Sequence, residues 1–127
     1  MNQMNFDILR LGQKLSQLSC EQLNKLEFGV IGFDDEGIVK VYNAYESKMT
    51  GLSFESVIDA DLFSMVAPCM NNFLVAQKFE DALDEKVELD EIMDFVLTLK
   101  MKTTRFKLRL ISSSNLPFNY VVILRLI

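Results

Sequence analysis

The chain has no histidine and no tryptophan, and only two cysteines, two prolines and five glycines in 127 residues. Without an imidazole, Ser-His-Asp and Cys-His catalysis are both excluded, and a zinc site would have to come from two distant cysteines and carboxylates. Conventional hydrolase and protease chemistry falls away. Basic residues are outnumbered, with 13 Lys and Arg against 18 Asp and Glu, leaving a formal charge of −5. That balance offers no patch able to neutralise a run of phosphates, so neither nucleic acid nor an anionic membrane is an expected partner. No apolar run reaches the roughly 18 residues of a spanning helix. The start "MNQMNFDILRLG" lacks the basic residues and apolar stretch of a signal peptide, so a cytoplasmic location is expected. Cys20 and Cys69 show none of the close spacing of a disulfide framework or metal knuckle, which fits free thiols in a reducing compartment. No Pro/Gly-rich linker divides the chain, so residues 1–127 are expected to form one domain.

Half of the residues are hydrophobic, ten of them Phe, enough for one packed core. Ile8, Leu11, Leu15 and Leu18 recur at helical spacing, and Ser19 with Gln22 makes a capping-box signal for a second short helix. Residues 1–26 thus read as a helical N-terminal cap. "FGVIGFDDEGIVKVYN" predicts two short strands, 28–33 and 38–42, joined by a turn over Asp34, Asp35, Glu36 and Gly37. Asn43 with Glu46, then Gly51 and Ser53, punctuate 43–72 into small helices and turns. Phe73, Ala76, Phe79, Ala82 and Leu83 predict one longer helix from Asn72 to about Lys86. Met93, Phe95, Leu97, Leu99 and Met101 alternate with more polar residues, as do Phe106, Leu108 and Leu110 with Arg105, Lys107 and Arg109, each giving a strand with one wet face. "SSSNLP" breaks the chain before a last strand, "FNYVVILRLI", apolar on both faces. The result is an α+β fold: a central five-stranded antiparallel sheet flanked by helices, in the element order of a PAS domain.

Taken singly, the chemically interesting residues have local explanations. Cys69 fits a small buried apolar residue, Glu46 the third position of the Asn43 helix cap, Tyr42 a half-buried strand residue and Thr50 a helix end.

Together they carry a resemblance. The stretches "EFGVIGFDDEG", "VYNAYESKMTG" and "LFSMVAPC" resemble the photoactive yellow proteins, PAS-fold blue-light receptors, without a gap from about residue 27 to Phe79, and with about one extra residue near 85–90 beyond it. The first 26 residues match only in their two-helix style. The resemblance implies that Cys69 carries p-coumaric acid (4-hydroxycinnamic acid) as a thioester, and that Tyr42, Glu46 and Thr50 hold its phenolate end. A phenolate taken out of water costs several kcal/mol unless donors meet it, which suits the Tyr42 phenol and a Glu46 kept protonated by burial. Around this group the resemblance places Ile31, Leu62, Val66 and Ala67, with Pro68 and Met70 flanking the thiol. Leu52 stands where better-known members have an arginine, and Leu97, Leu99 and Met101 form an aliphatic far wall, so altered colour and lifetime are expected.

The implied mechanism is trans-to-cis isomerisation under blue light, proton transfer from Glu46, and loosening of the N-terminal cap by the buried anion left behind. With no kinase, cyclase or DNA-binding segment in the sequence, the output is expected to pass to a separate, unidentified signalling protein, from a monomer or weak homodimer. Two alternatives remain: a pigment-free PAS module for a small ligand or a protein partner, and an enzyme using Cys69 as nucleophile, for which no base is visible.

Overall fold

The computed structural model describes residues 5–72, 74–99 and 102–126, with side chains at all of these except 97–99, 102 and 126. The expected α+β architecture is present, as a five-stranded sheet with strand order β2-β1-β5-β4-β3 and every neighbouring pair antiparallel. The strands are β1 (Gly29–Phe33), β2 (Val39–Tyr42), β3 (Leu89–Leu99), β4 (Lys102–Ser112) and β5 (Asn119–Leu126). Short helices α1 (Leu11–Ser16) and α2 (Cys20–Leu23) precede them; α3 (Ala44–Thr50), α4 (Phe54–Val57) and α5 (Ala76–Glu85) lie between β2 and β3. Among the described residues no helix is long and apolar enough to cross a membrane.

The β1–β2 turn forms as its sequence dictates. Asp34 accepts from the backbone N–H of Glu36 and Ile38 through its side chain, and Gly37 supplies the positive φ of 85°. β1 is buried along its whole length because the sheet is covered on both faces. On one face Ile31, Phe33, Val121 and Ile123 pack with Tyr42, Leu62, Met70, Phe79 and Phe95. On the other, Val30, Tyr120 and Val122 meet Phe6, Leu11, Leu15 and Leu23 from the N-terminal segment. We call these the site face and the cap face.

Three expectations need correction. The first helix runs only over Leu11–Ser16, because Arg10 takes a left-handed conformation, φ 56°, and stops it from reaching back to Ile8. The central helix starts at Ala76 rather than Asn72: the Asn72 side chain accepts from the N–H of Leu74 and Val75, closing a local turn that competes with helix. Phe73 lies outside the described residues. Arg109, assigned to a wet face, is 5% exposed. It lies under the N-terminal segment, where it grips both carboxylate oxygens of Asp90 at 2.7 and 2.9 Å and donates to the carbonyls of Phe6 and Ile8 at 3.0 and 2.6 Å. Period-two alternation reports which face a residue occupies, not what covers that face.

Arg109 therefore tethers the start of the cap to β4. Arg109→Ala leaves the two carbonyls without their donor and should cost roughly 2–4 kcal/mol, with faster amide exchange over the segment before α1. Asp90→Asn should cost less, since Asp90 is half exposed and the carbonyl bonds survive. Urea midpoints and exchange rates equal to those of the parent would contradict the tether.

Candidate functional site

The site is built outward from Asn43. Its side-chain oxygen accepts from the N–H of Glu46 at 3.2 Å, capping α3, and from the N–H of Val30 at 3.0 Å. Its amide donates to the carbonyls of Leu23 and Phe28, each at 3.0 Å. One buried side chain thus joins the start of α3 to β1 and to α2 of the cap. At the other end Gly51, φ 79°, closes α3 in the left-handed conformation that glycine adopts without strain.

This geometry fixes Glu46, only 3% exposed, against the sheet. Gly29 makes room for it, since a Cβ there would overlap Glu46 Oε1. Both carboxylate oxygens are taken by Arg125 of β5, at 2.8 and 3.0 Å. The Arg125 guanidinium also lies over the rings of Phe106 and Tyr45, 5.5 and 5.9 Å from their centroids. Burial pulls the Arg125 pKa down, but the hydrogen bonds and charge of Glu46 outweigh it and the net direction is upward. Period two places Arg125 on the site face with Val121 and Ile123.

Tyr42, 4% exposed, sits on the same face. Its hydroxyl is 2.5 Å from Thr50 Oγ1, which itself lies 3.0 Å from the Glu46 carbonyl and accepts from the Leu52 N–H at 3.2 Å. With one hydroxyl proton, Thr50 can donate to the carbonyl or to Tyr42, not both. If it donates to Tyr42, the phenol proton is freed to point into the core. Burial pushes the Tyr42 phenol up, against the pull of the Thr50 hydrogen bond, so it stays a neutral donor.

Cys69 lies on a single 3₁₀ turn, Pro68–Met70, that follows a π-helical turn over Leu62–Val66. The fixed φ of Pro68 starts the turn, and Asn72 holds it by donating to the Cys69 carbonyl at 2.9 Å. Leu62 and Met70 anchor its two sides in the core that contains Tyr42 and Ile31, with Val66 and Ala67 packed against it. Pro68 and Cys69 themselves are exposed. Enough atoms still surround the sulfur for burial to push the thiol pKa up, a backbone hydrogen bond opposing it. The thiol is therefore not pre-ionised. Cys20 is a free thiol as well, on the exposed surface of the cap.

The structure thus gathers Tyr42, Glu46 and Thr50 at one end of the site-face core and brings the Cys69 turn to the same core. Leu52, at 38% exposure, stands at the rim. Leu97 and Leu99 fall on β3, but their side chains lie outside the described residues, as does Met101 altogether. Sequence reasoning missed Arg125 and Gly29, and placed Phe106 only on the apolar side of its strand, where the structure sets it under the Arg125 guanidinium and 6.4 Å from the Phe95 ring. A cation on the apolar face of "VVILRLI" was the available signal, since a buried guanidinium requires an anion.

No protein-family model matches the chain. It is 34% identical to the photoactive yellow protein of Halochromatium salexigens over 87% of each chain. It is 26% identical to that of Rhodothalassium salexigens, over 82% of this chain and 86% of the relative. Among solved structures it resembles the photoactive yellow protein domain of the sensor histidine kinase Ppr from Rhodospirillum centenum, with TM-score 0.78, 26% identity and coverage of 88% and 97%. A PAS domain from Colwellia psychrerythraea shares the fold at TM-score 0.62 and 10% identity, over 91% and 96%.

The Tyr42–Thr50 contact can be checked without any ligand. Thr50→Val leaves the phenol only the Glu46 carbonyl at 3.5 Å, too long to replace the bond. A double-mutant cycle with Tyr42→Phe should give a coupling of about 1 kcal/mol. Strictly additive losses in denaturation would mean that the two hydroxyls do not bond.

Proposed function

The chain belongs to the photoactive yellow protein family, and we propose that it is a blue-light receptor carrying p-coumaric acid as a thioester on Cys69. The observation that carries this reading is the pair of buried residues Tyr42 and Glu46, with the exposed Thr50 bonded to the Tyr42 hydroxyl, on the core face to which the Cys69 turn is anchored. The donor set suits the group: the Tyr42 hydroxyl, oriented by Thr50, and the Glu46 carboxyl for a phenol oxygen, and aromatic and aliphatic side chains for the ring. Ile31, Leu62, Val66, Ala67 and Met70 would line the pocket, Pro68 and Leu52 its mouth, and Leu97, Leu99 and Met101 its far wall. When bound, the group supplies light absorption and trans-to-cis isomerisation of its double bond.

The remaining steps belong to the chain. Cys69 loses its proton and attacks an activated acyl donor, whose leaving group departs as the S–C bond forms. No base or cation is needed at the thiol if the donor is activated, in keeping with its upward-shifted pKa. Thr50 orients the Tyr42 hydroxyl. Glu46 holds the shared proton in the dark and surrenders it after isomerisation. The charge change falls within one turn of Asn43, whose amide bonds the carbonyl of Leu23 in α2, so the cap is the element placed to respond. The N-terminal cap, residues 1–26, and the PAS core, 27–127, would then act as one unit that signals rather than turns over a substrate. The output partner would be a separate cytoplasmic protein, met by a monomer or weak homodimer. Nucleic acid and membrane remain poor partners for a chain of net charge −5.

Incubation with activated p-coumaric acid should turn the protein yellow and add one p-coumaroyl group, mapped by peptide mass spectrometry to Cys69 and not to Cys20. Cys69→Ala should stay colourless. A colourless parent would favour the pigment-free PAS sensor, and an adduct confined to Cys20 would contradict the site.

A further inference from the structure

The ion pair between Glu46 and Arg125 is not used in the steps above, and it bears directly on them. In the structure Glu46 is an acceptor on both oxygens and Arg125 is its donor on two nitrogens. A protonated Glu46 able to donate cannot keep that arrangement. The pair is enclosed, with side-chain exposures of 15% for Arg125 and 4% for Glu46. Arg125 is held besides by two aromatic rings that do not depend on Glu46. Leu52 brings no charge from the rim.

We propose that Arg125 is the fixed countercharge of the site, pairing with whichever of Glu46 and the ligand's phenol oxygen bears the negative charge. The inference rests on the light-receptor reading for its second partner, but not for its first. With the pocket unpigmented, Arg125 holds Glu46 as a carboxylate. On loading, the ligand's phenol O–H bond breaks and its proton goes to Glu46. One negative charge moves from Glu46 to the phenol oxygen, and Arg125 stays a cation between Phe106 and Tyr45. Apart from the thiol proton that Cys69 gives up to solvent as the thioester forms, no proton enters or leaves. Transfer back to the ligand after isomerisation returns Glu46 to a state in which it has a partner, so its negative charge is not left alone in the core. The penalty for an unpaired buried carboxylate is thereby reduced, and part of the drive for cap release must come from moving the ion pair. Among the described residues, the groups that face Glu46 and Arg125 are Tyr42 on β2, Tyr45 on α3 and Thr50 at the end of α3. Neither a tyrosine nor a threonine side chain can carry a positive charge, so Arg125 supplies it.

The test has one arm without pigment and one with it. In unpigmented protein the Glu46 carboxyl is followed against pH by NMR of carboxyl-labelled glutamate, assigned by its loss in Glu46→Gln. Arg125→Met, which keeps most of the apolar bulk, should move the Glu46 midpoint up by about one pH unit or more; Arg125→Lys should restore most of the difference. In protein loaded on Cys69, the pH at which the yellow band gives way to the protonated form should rise in Arg125→Met and fall back in Arg125→Lys. A purely structural arginine would change stability and leave both midpoints in place. Unmoved midpoints in a folded Arg125→Met variant would overturn the inference. If that variant does not fold, the parent decides: Glu46 found protonated at pH 7 in unpigmented protein overturns it, and a carboxylate there supports it. Failure of the parent to take up pigment would count against the receptor reading alone, because the first arm still tests the countercharge.

Discussion

A carboxyl group held at 3% exposure is the constraint around which the site face is arranged. Burying Glu46 without partners would cost far more than a typical side-chain contact returns, so each neighbour answers a need. Asn43 caps the helix that carries it, Gly29 vacates the space for its oxygens, and Arg125 supplies charge and two donors. The same needs make the group informative. A buried acid that can exchange a proton with a ligand converts a change in the ligand into a change of charge inside the protein.

That charge sits where two layers meet. β1 is shared between the site-face core and the cap-face core, and Asn43 bonds both the Val30 N–H of β1 and the Leu23 carbonyl of α2. The cap is also joined to α3 by Asn24, whose side-chain oxygen accepts from the Ala44 N–H at 2.7 Å, and is held by apolar packing of Phe6, Leu11, Leu15 and Leu23 and by the Arg109 grip on the Phe6 and Ile8 carbonyls. A disturbance at the start of α3 therefore reaches the cap through a hydrogen-bonded side chain rather than through the whole sheet. Short helices make such a layer easy to loosen, since α1 and α2 have six and four residues and little stability of their own.

Much of this was legible in the sequence because the signals are local. The Asp34–Gly37 turn, the Ser19–Gln22 box and the Asn43 and Ser53 caps each depend on residues within four positions of one another. Strand alternation assigned Phe106, Leu108 and Leu110 to the core for the same reason. Arg109 and Arg125 were not legible, since their burial depends on partners more than 70 residues away, the Phe6 carbonyl and Glu46. The start of α5 was misplaced because the Asn72 side chain accepts from the N–H groups of Leu74 and Val75, a competition that helical periodicity does not register. Tyr42, Glu46, Thr50 and Cys69 could be named as a set only through resemblance, because no spacing rule links a strand, a helix and a turn.

Signalling by this site depends on the proton of Glu46. Infrared difference spectra of the p-coumaroyl-loaded protein, light minus dark, read it directly. The dark state should lose a protonated-acid C=O band on illumination and the light state should gain a carboxylate band, both shifted by carboxyl labelling of glutamate and both absent in Glu46→Gln. A loaded protein that bleaches and recovers with no carboxyl band, or with bands that survive Glu46→Gln, would show that Glu46 does not exchange a proton with the ligand.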